Sequence, residues 1–186
     1  MKTTVEKRKP DGIIDYVALA LTTWGVGYLP LMPGTFGSIV GVAIYFGVVA
    51  FDSSAGAKLV AAGYTSDQIT AITWASNSIL LVAFIIIGIW ASGRSIAILG
   101  NTDPSEAVVD EVLGTLTTLL FIPHGASWIF VLVGFALFRL FDIWKPYPID
   151  SLQTLPAGVG VCADDIVAGV YAGMCLSIAY AIMIII

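Results

Sequence analysis

The chain of 186 residues is long enough for one domain, and its composition is that of a membrane protein. Hydrophobic residues make up 58% of it and charged residues only 11%, whereas soluble domains carry about 25% charged residues. The formal net charge of −5 argues against a nucleic-acid partner. We therefore expect a single membrane-embedded domain over residues 11–186, preceded by a basic, cytoplasmic N-terminus over residues 1–10.

The first thirty residues combine a basic segment with an apolar one. Residues 1–10 contain four basic side chains, and apolar residues dominate 13–31. A cleaved signal peptide has the same order, but the Ala-Leu-Ala sequence that could mark cleavage lies inside the apolar stretch instead of after it. Asp15 and Pro30 interrupt the stretch, which favours an interfacial or re-entrant segment over a membrane span.

Five further apolar segments follow, bounded by charged residues, prolines or glycines. A membrane span needs about 20 apolar residues. We expect spans at 35–51, 69–92, 107–122, 127–141 and 164–186, with a polar loop at 52–67. The third and fourth are short, so their charged ends should lie at headgroup depth. The predicted fold class is all-α, a polytopic helical membrane protein with about five transmembrane helices.

The basic residues predict which side of the membrane each loop occupies. If 13–31 does not cross, five alternating spans place seven of the eight basic residues on one face, with Lys58 alone opposite. The positive-inside rule makes that face cytoplasmic. A crossing at 13–31 would instead divide the basic residues three against five, with no coherent orientation.

Acidic residues gather on the same predicted face, at the ends of three spans. They are Asp110, Glu111, Asp142, Asp164 and Asp165. Adjacent carboxylates repel each other, and charges at membrane depth are costly unless they serve a function. Mg²⁺ prefers oxygen ligands and keeps several waters. The sequence therefore predicts a Mg²⁺ site in which these five acids are both metal ligands and catalytic residues.

Helix capping is the alternative interpretation of these acids. Carboxylates at a helix N-terminus accept hydrogen bonds from free amides and meet the positive end of the dipole. Asp103 and Glu106 lie in an Asp-Pro-Ser-Glu sequence typical of a capping box, so for them the alternative stays open. It is weaker for the adjacent pairs at 110–111 and 164–165.

Cations accompany the acids at the end of the fourth span. Arg139, Asp142 and Lys145 follow one another at three-residue steps, which keeps helical neighbours on roughly one face. Arginine offers phosphate a planar fork and lysine a point charge. We expect Arg139 and Lys145 to bind a phosphate, although interfacial anchoring would also explain a Trp-Lys-Pro-Tyr end.

A glycine-rich segment precedes the first span, with Gly25–Pro30 followed by Pro33–Ser38. Amides at a helix N-terminus can receive an anion, and the hydroxyls of Thr35 and Ser38 could contact the phosphate. The segment lacks the Gly-Lys-Ser/Thr ending of a P-loop, and hinge or cap chemistry explains it equally well. His124 lies on the opposite predicted face and is excluded from catalysis.

Four sequence motifs, in their order along the chain, resemble those of the phosphatidylglycerophosphatase A family of bacterial membrane lipid phosphatases. They are Gly-x-Gly-x-x-Pro-x-x-Pro-Gly-Thr-x-Gly-Ser at 25–38, Asp-Glu at 110–111, Phe-Arg-x-x-Asp-x-Trp-Lys-Pro-x-Pro-Ile at 138–149 and Gly-x-x-x-Asp-Asp-Ile-Val-Ala-Gly at 160–169. The resemblance implies a Mg²⁺-dependent hydrolase of phospholipid biosynthesis, in the bacterial inner membrane, that converts phosphatidylglycerophosphate into phosphatidylglycerol. Direct attack by water and a phospho-aspartate intermediate both remain open.

Two other classes use acids in membranes. A CDP-alcohol phosphatidyltransferase also needs Mg²⁺, but its Asp-x-x-Asp-Gly-x-x-Ala-Arg block is missing from this sequence. An ion or proton transporter should carry its acids at the bilayer midplane, whereas here they lie at the ends of spans. The phosphatase interpretation is therefore favoured, with a phospholipid substrate as partner and the oligomeric state left open.

Overall fold

The computed structural model describes residues 4–186, and within that range the regular structure is helical. Seven α-helices follow one another, with a short 3₁₀ turn at Val26–Tyr28 after the first. They are α1 (Gly12–Thr23), α2 (Pro33–Ala61), α3 (Ser66–Leu99), α4 (Val109–Leu119), α5 (Trp128–Trp144), α6 (Ile149–Leu152) and α7 (Ala157–Ile185). The predicted all-α fold class is confirmed.

Helix α4 is the centre of the bundle and packs against α2, α3, α5 and α7. Eight of its eleven residues are buried. Its contact with α7 is close because two glycines meet there: a Cβ added to Gly169 would lie 2.4 Å from the carbonyl oxygen of Gly114. Apolar contacts over Leu113, Leu119 and Phe138 hold this central helix in place.

Three of the described helices are long and apolar enough to cross a membrane, namely α2, α3 and α7, with 29, 34 and 29 residues. The 11 residues of α4 and 17 of α5 make about 16 and 26 Å of helix, against roughly 30 Å of hydrocarbon. Pro123 and Gly125 form the turn between these two helices, and Pro146 follows the end of α5. The five expected spans therefore correspond to three helices of span length and one shorter hairpin.

The predicted polar loop at 52–67 is wrong, because most of this segment is helical. Helix α2 continues to Ala61, and α3 begins at Ser66 after a turn in which Gly63 has a φ of +91°. Alanine, lysine and leucine are strong helix formers, so small and polar composition did not indicate a loop here. A capping box between Thr65 and Gln68 starts α3.

The last helix begins seven residues earlier than the sequence predicts. Helix α7 starts at Ala157, directly after Pro156, instead of at Asp164. Its first turn packs on α3, where a Cβ at Gly158 would lie only 1.9 Å from the carbonyl oxygen of Ile89. Asp164 therefore lies about two turns inside the helix, and the capping alternative for it and its neighbour is excluded.

The N-terminal segment is fixed to the bundle by a buried carboxylate. Asp15 is completely buried in α1 and forms ion pairs with Arg8 and with Arg94 of α3. A hydrogen bond from Arg8 is the main reason that the pKa of Asp15 lies well below its usual range, and a hydrogen bond from the Asp11 amide contributes next. The sequence predicted only a topological role for these arginines, and not that they anchor α1.

Candidate active site

A polar cleft opens at one end of the bundle, where α2, α4 and α7 begin and where α3 and α5 end. Its volume is about 730 Å³. The four acids Asp110, Glu111, Asp164 and Asp165 line it together with Asp142 and Lys145. The structure therefore brings all five sequence-predicted acids into one cavity, although they come from three different helices.

Three of the five acids converge closely enough to share a cation. Carboxylate oxygens of Asp110, Glu111 and Asp165 all lie within 4.8 Å of one another. Asp110 and Glu111 occupy the first turn of α4, while Asp165 reaches across from α7. Asp110 Oδ1 and Glu111 Oε2 are buried and have no hydrogen-bond partner among the described residues. Buried oxygens of this kind are costly, and they fit the oxygen shell of a hard divalent cation.

The other two acids are paired with cations. Arg139 Nη1 lies 2.7 Å from Asp142 Oδ2, and Lys145 Nζ lies 3.9 Å from Asp142 Oδ1. Lys145 also donates a hydrogen bond of 2.5 Å to Asp164 Oδ2. The three-residue steps from 139 to 145 therefore do place these side chains together, and five carboxylates share the site with two cations.

Lys145 is held at the cleft by the end of helix α5. It is the C-cap residue, with a φ of +46°, and Pro146 follows it. Burial disfavours its charge, but the hydrogen bond to Asp164 and the surrounding carboxylates outweigh this and raise the pKa of Lys145. The ammonium group therefore stays charged at neutral pH.

Arg139 occupies a different place from Lys145. It lies behind the acids, with Nη1 3.9 Å from Glu111 Oε1, and is not among the residues that line the cleft. In the described structure it fixes the positions of Asp142 and Glu111. Its expected contact with the substrate phosphate stays a prediction.

The glycine-rich segment contributes backbone to the cleft more than hydroxyl groups. Ser38 is buried, and its Oγ donates to the carbonyl oxygen of Gly34. Pro33 and Gly34 line the cleft, whereas Thr35 and Ser38 do not. The predicted phosphate contacts of these two hydroxyls therefore remain predictions, and the close approach of Gly34 to the acids was not foreseen.

Gly34→Ala should abolish most activity without unfolding the protein. The added Cβ would lie 2.1 Å from Glu111 Oε1 and 3.1 Å from Arg139 Nη1. Since a displacement of about 1 Å at a catalytic group can cost roughly a hundredfold in rate, we expect a kcat loss of that order. Gly47→Ala, in the same helix with nothing within 4 Å of its added Cβ, is the control. Equal activity of the two variants would contradict the arrangement.

Two loop segments that the sequence did not predict for the site also line the cleft, within residues 102–107 and 153–157. In the first of them, the capping alternative that the sequence left open for Asp103 and Glu106 does not apply to α4, because this helix begins later and its N-cap residue is Val108. The loop is instead held by α1 and the 3₁₀ turn. The Val108 amide donates to the carbonyl of Thr22, and Gly27 packs directly on the backbone of Glu106.

Comparison with known proteins agrees with this geometry. The family model of phosphatidylglycerophosphatase A matches residues 19–180, a range that contains the five acids of the cleft together with Arg139 and Lys145. The chain belongs to the phosphatidylglycerophosphatase A family. The resemblance inferred from the four sequence blocks is therefore confirmed, and the chain is a bacterial membrane lipid phosphatase.

Curated relatives of the family cover most of this chain. The Escherichia coli K12 phosphatidylglycerophosphatase A is 30% identical over 79% of the chain and 73% of its own length. The Haemophilus influenzae phosphatidylglycerophosphatase A is 30% identical over 88% of both chains. A Bacteroides thetaiotaomicron protein named "Putative phosphatidylinositol-3-phosphatase" is 36% identical over 85% of the chain and 89% of its own length. No solved structure matches the chain.

Proposed function

We propose that this cleft hydrolyses the terminal phosphate monoester of phosphatidylglycerophosphate, the reaction of its family, with the help of Mg²⁺. The observation that carries the proposal is the convergence of Asp110, Glu111 and Asp165, with two unpartnered buried oxygens, beside the charged Lys145. A phosphate monoester dianion needs positive charge around its oxygens, and uncompensated carboxylates would repel it.

A divalent cation would resolve this conflict of charge. Held by Asp110, Glu111 and Asp165, it would neutralise the phosphate oxygens and make a water more nucleophilic. The donor set consists of carboxylate oxygens alone, which suits Mg²⁺ better than a softer metal. The unpartnered oxygens of Asp110 and Glu111 support this assignment.

The protein's own residues would position the substrate. Lys145 lies on the wall of the cleft, where its ammonium can donate to a phosphate oxygen while Asp164 and Asp142 hold it. Arg139 keeps Asp142 in place from behind. The remaining walls carry Ser105, Gln153 and Thr154, whose hydroxyl and amide groups suit the glycerol of the headgroup.

We further propose that the cleft faces the cytoplasm and that the α4–α5 hairpin completes five crossings. His124 in the hairpin turn lies 2.9 Å from Asp52 of α2, and Asp52 is 18 residues beyond Gly34, or about 27 Å along the helix. The hairpin therefore reaches nearly as deep as the hydrocarbon is thick. Of the seven basic residues in the described range 4–186, six then lie at the cleft end, in agreement with the positive-inside rule.

Cysteine labelling tests this orientation. In a Cys175→Ser background, Ser54→Cys should react with a membrane-impermeant maleimide in intact cells, whereas Ser151→Cys should react only after permeabilisation. Ser54 lies near the far end of α2, and Ser151 lies in α6 beside the cleft. The reverse pattern would place the active site outside the cytoplasm.

A panel of lipids tests the substrate assignment. Purified protein with Mg²⁺ should release phosphate from phosphatidylglycerophosphate faster than from phosphatidic acid or phosphatidylinositol 3-phosphate, and should leave the phosphodiester of phosphatidylglycerol intact. A control variant, Lys58→Gln, changes a residue at the opposite end of α2 and should show the same order of rates among these lipids. Faster release from the inositol lipid would overturn the assignment in favour of the activity named for the Bacteroides relative.

A further inference from the structure

Two adjoining cavities lie away from the catalytic cleft, one along the middle of the bundle and one at its opposite end. One is an apolar groove of about 340 Å³ between α2 and α3. The other is a more polar pocket of about 320 Å³ under the α4–α5 turn. Both are lined by Asn77, Leu120 and His124. The two cavities therefore form one amphipathic site, with an apolar part and a polar end.

The apolar groove lies within the membrane-spanning part of the bundle. Its walls come from Ile44 and Val48 of α2 and from Phe84 of α3, and its floor is formed by Leu116 of α4 and by Leu120 directly after that helix. At its margin Leu80 is 55% exposed and Ile87 is 43% exposed. The groove therefore opens toward the surrounding lipid rather than toward water.

The size and lining of the groove suit a lipid chain. It offers about 340 Å³ of space between apolar side chains. A narrow, flexible acyl chain fits this space, and a helix from a second copy of the protein is the alternative that the crosslinking experiment below distinguishes.

The polar end contains the carboxylate of Asp52. Asp52 Oδ2 lies 2.9 Å from His124 Nδ1 and accepts a hydrogen bond of 2.8 Å from Asn77 Nδ2. Thr73 and Trp74 complete the wall. A carboxylate beside an exposed indole suits an ammonium group, which can pair with the acid and lie on the aromatic face. An anionic headgroup would meet the Asp52 carboxylate unfavourably.

We propose that these two cavities together bind one phospholipid with an amine headgroup of the ethanolamine class. One acyl chain lies in the groove between α2 and α3, and the ammonium group lies beside Asp52 and Trp74. The site is separate from the catalytic cleft, because Asp52 and Gly34 are about 27 Å apart along α2. Its occupant is a structural lipid of the opposite leaflet and not the substrate.

Lipid retention by the purified protein tests this site directly. The probes are dioleoyl phosphatidylethanolamine and dioleoyl phosphatidylglycerol, added to delipidated protein and counted by native mass spectrometry. We expect one phosphatidylethanolamine per chain to be retained in preference to phosphatidylglycerol. Asp52→Asn should remove the preference, while Asp67→Asn, an exposed acid in the first turn of α3, should preserve it.

Blocking the groove gives a second comparison. Ala83→Trp would place an indole in the groove, whereas Val82→Trp, at an exposed neighbouring position outside it, is the control. We expect Ala83→Trp to weaken retention at least about tenfold, which corresponds to roughly two methylenes leaving the groove. Equal retention by the two variants, or equal retention of the two lipids by the unaltered protein, would overturn the proposal.

A photoreactive phosphatidylethanolamine, with a diazirine in one acyl chain, makes the test independent of any variant. Crosslinks should map to the groove-lining residues of α3 and α4, between Asn77 and Ile87 and at Leu116 to Leu120. Crosslinks spread evenly over the outer surface, or crosslinks between two protein chains at this groove, would contradict a single bound lipid.

Discussion

Asp165→Asn should remove nearly all phosphatase activity while making the metal-free protein at least as stable as before. The side chain is buried and shares its site with two other carboxylates. In the absence of a cation these groups repel one another, so removing one charge relieves the repulsion. With Mg²⁺, the same change removes a ligand. Mutation of a residue that only hydrogen-bonds to a metal ligand already costs about 10–100-fold in metal affinity or activity. For a ligand itself we therefore expect a loss of activity that exceeds a hundredfold.

Two measurements separate this account from a purely structural role for Asp165. Thermal unfolding without metal should give an unchanged or higher Tm, and the rise in Tm on adding Mg²⁺ should disappear. Asp67→Asn, an exposed acid at the far end of the bundle, should keep both the metal-induced rise and the activity. A lower metal-free Tm together with an intact Mg²⁺ effect would show that Asp165 is structural.

Lys145→Gln should have the second largest effect, and it should act on substrate binding and turnover rather than on the metal. Lys145 is the cation that lines the cleft, and loss of one donor to a developing oxyanion costs about 10²–10³-fold. Removing an ammonium group that competes for Asp164 and Asp142 should leave Mg²⁺ affinity unchanged or raise it. Inhibition by inorganic phosphate should weaken in parallel with the loss of activity.

Calorimetric Mg²⁺ titration and phosphate inhibition, measured on the same preparation, check this separation. Lys145→Arg keeps the charge and should restore part of the activity. Because the carboxylates around Lys145 raise its pKa, the unaltered enzyme should not lose activity through deprotonation of this residue at or below the ordinary lysine pKa of about 10.4. Loss of Mg²⁺ binding in Lys145→Gln with unchanged phosphate inhibition would contradict the assigned role.

Much of the site could be predicted because the chemistry depends on residue type and spacing. The three-residue steps of Arg139, Asp142 and Lys145 predict that Asp142 lies near both cations, and the structure shows it paired with each of them. Adjacent acids such as Asp110 and Glu111 in an apolar sequence predicted a functional site for another reason, because charges at membrane depth are costly. The all-α fold followed from hydrophobic runs too long for strands.

Which neighbour each acid contacts could not be predicted from the sequence. Asp164 and Asp165 are neighbours in sequence, but successive residues on a helix point about 100° apart. The rotation of α7 against α4 turns Asp165 toward Asp110 and Glu111, and Asp164 toward Lys145. That rotation is set by the packing of Gly169 on Gly114, which spacing along one helix does not reveal.

Sequence patterns also did not predict where the helices begin and end. The predicted last span begins at Asp164, but α7 starts at Ala157 because Gly158 can pack tightly on α3. The depth of the α4–α5 hairpin depends on the contact of His124 with Asp52, two residues 72 positions apart in the sequence. Long-range contacts of this kind decide where short membrane helices end.

Phosphate release from phosphatidylglycerophosphate, measured on metal-free purified protein as Mg²⁺ is added back, tests the central claim most directly. The cleft geometry predicts negligible release without metal, recovery that follows Mg²⁺ binding measured calorimetrically, and neither binding nor recovery in Asp165→Asn. Full activity of the metal-free protein, or equal recovery in Asp165→Asn, would contradict a metal-assisted phosphatase site formed by Asp110, Glu111 and Asp165.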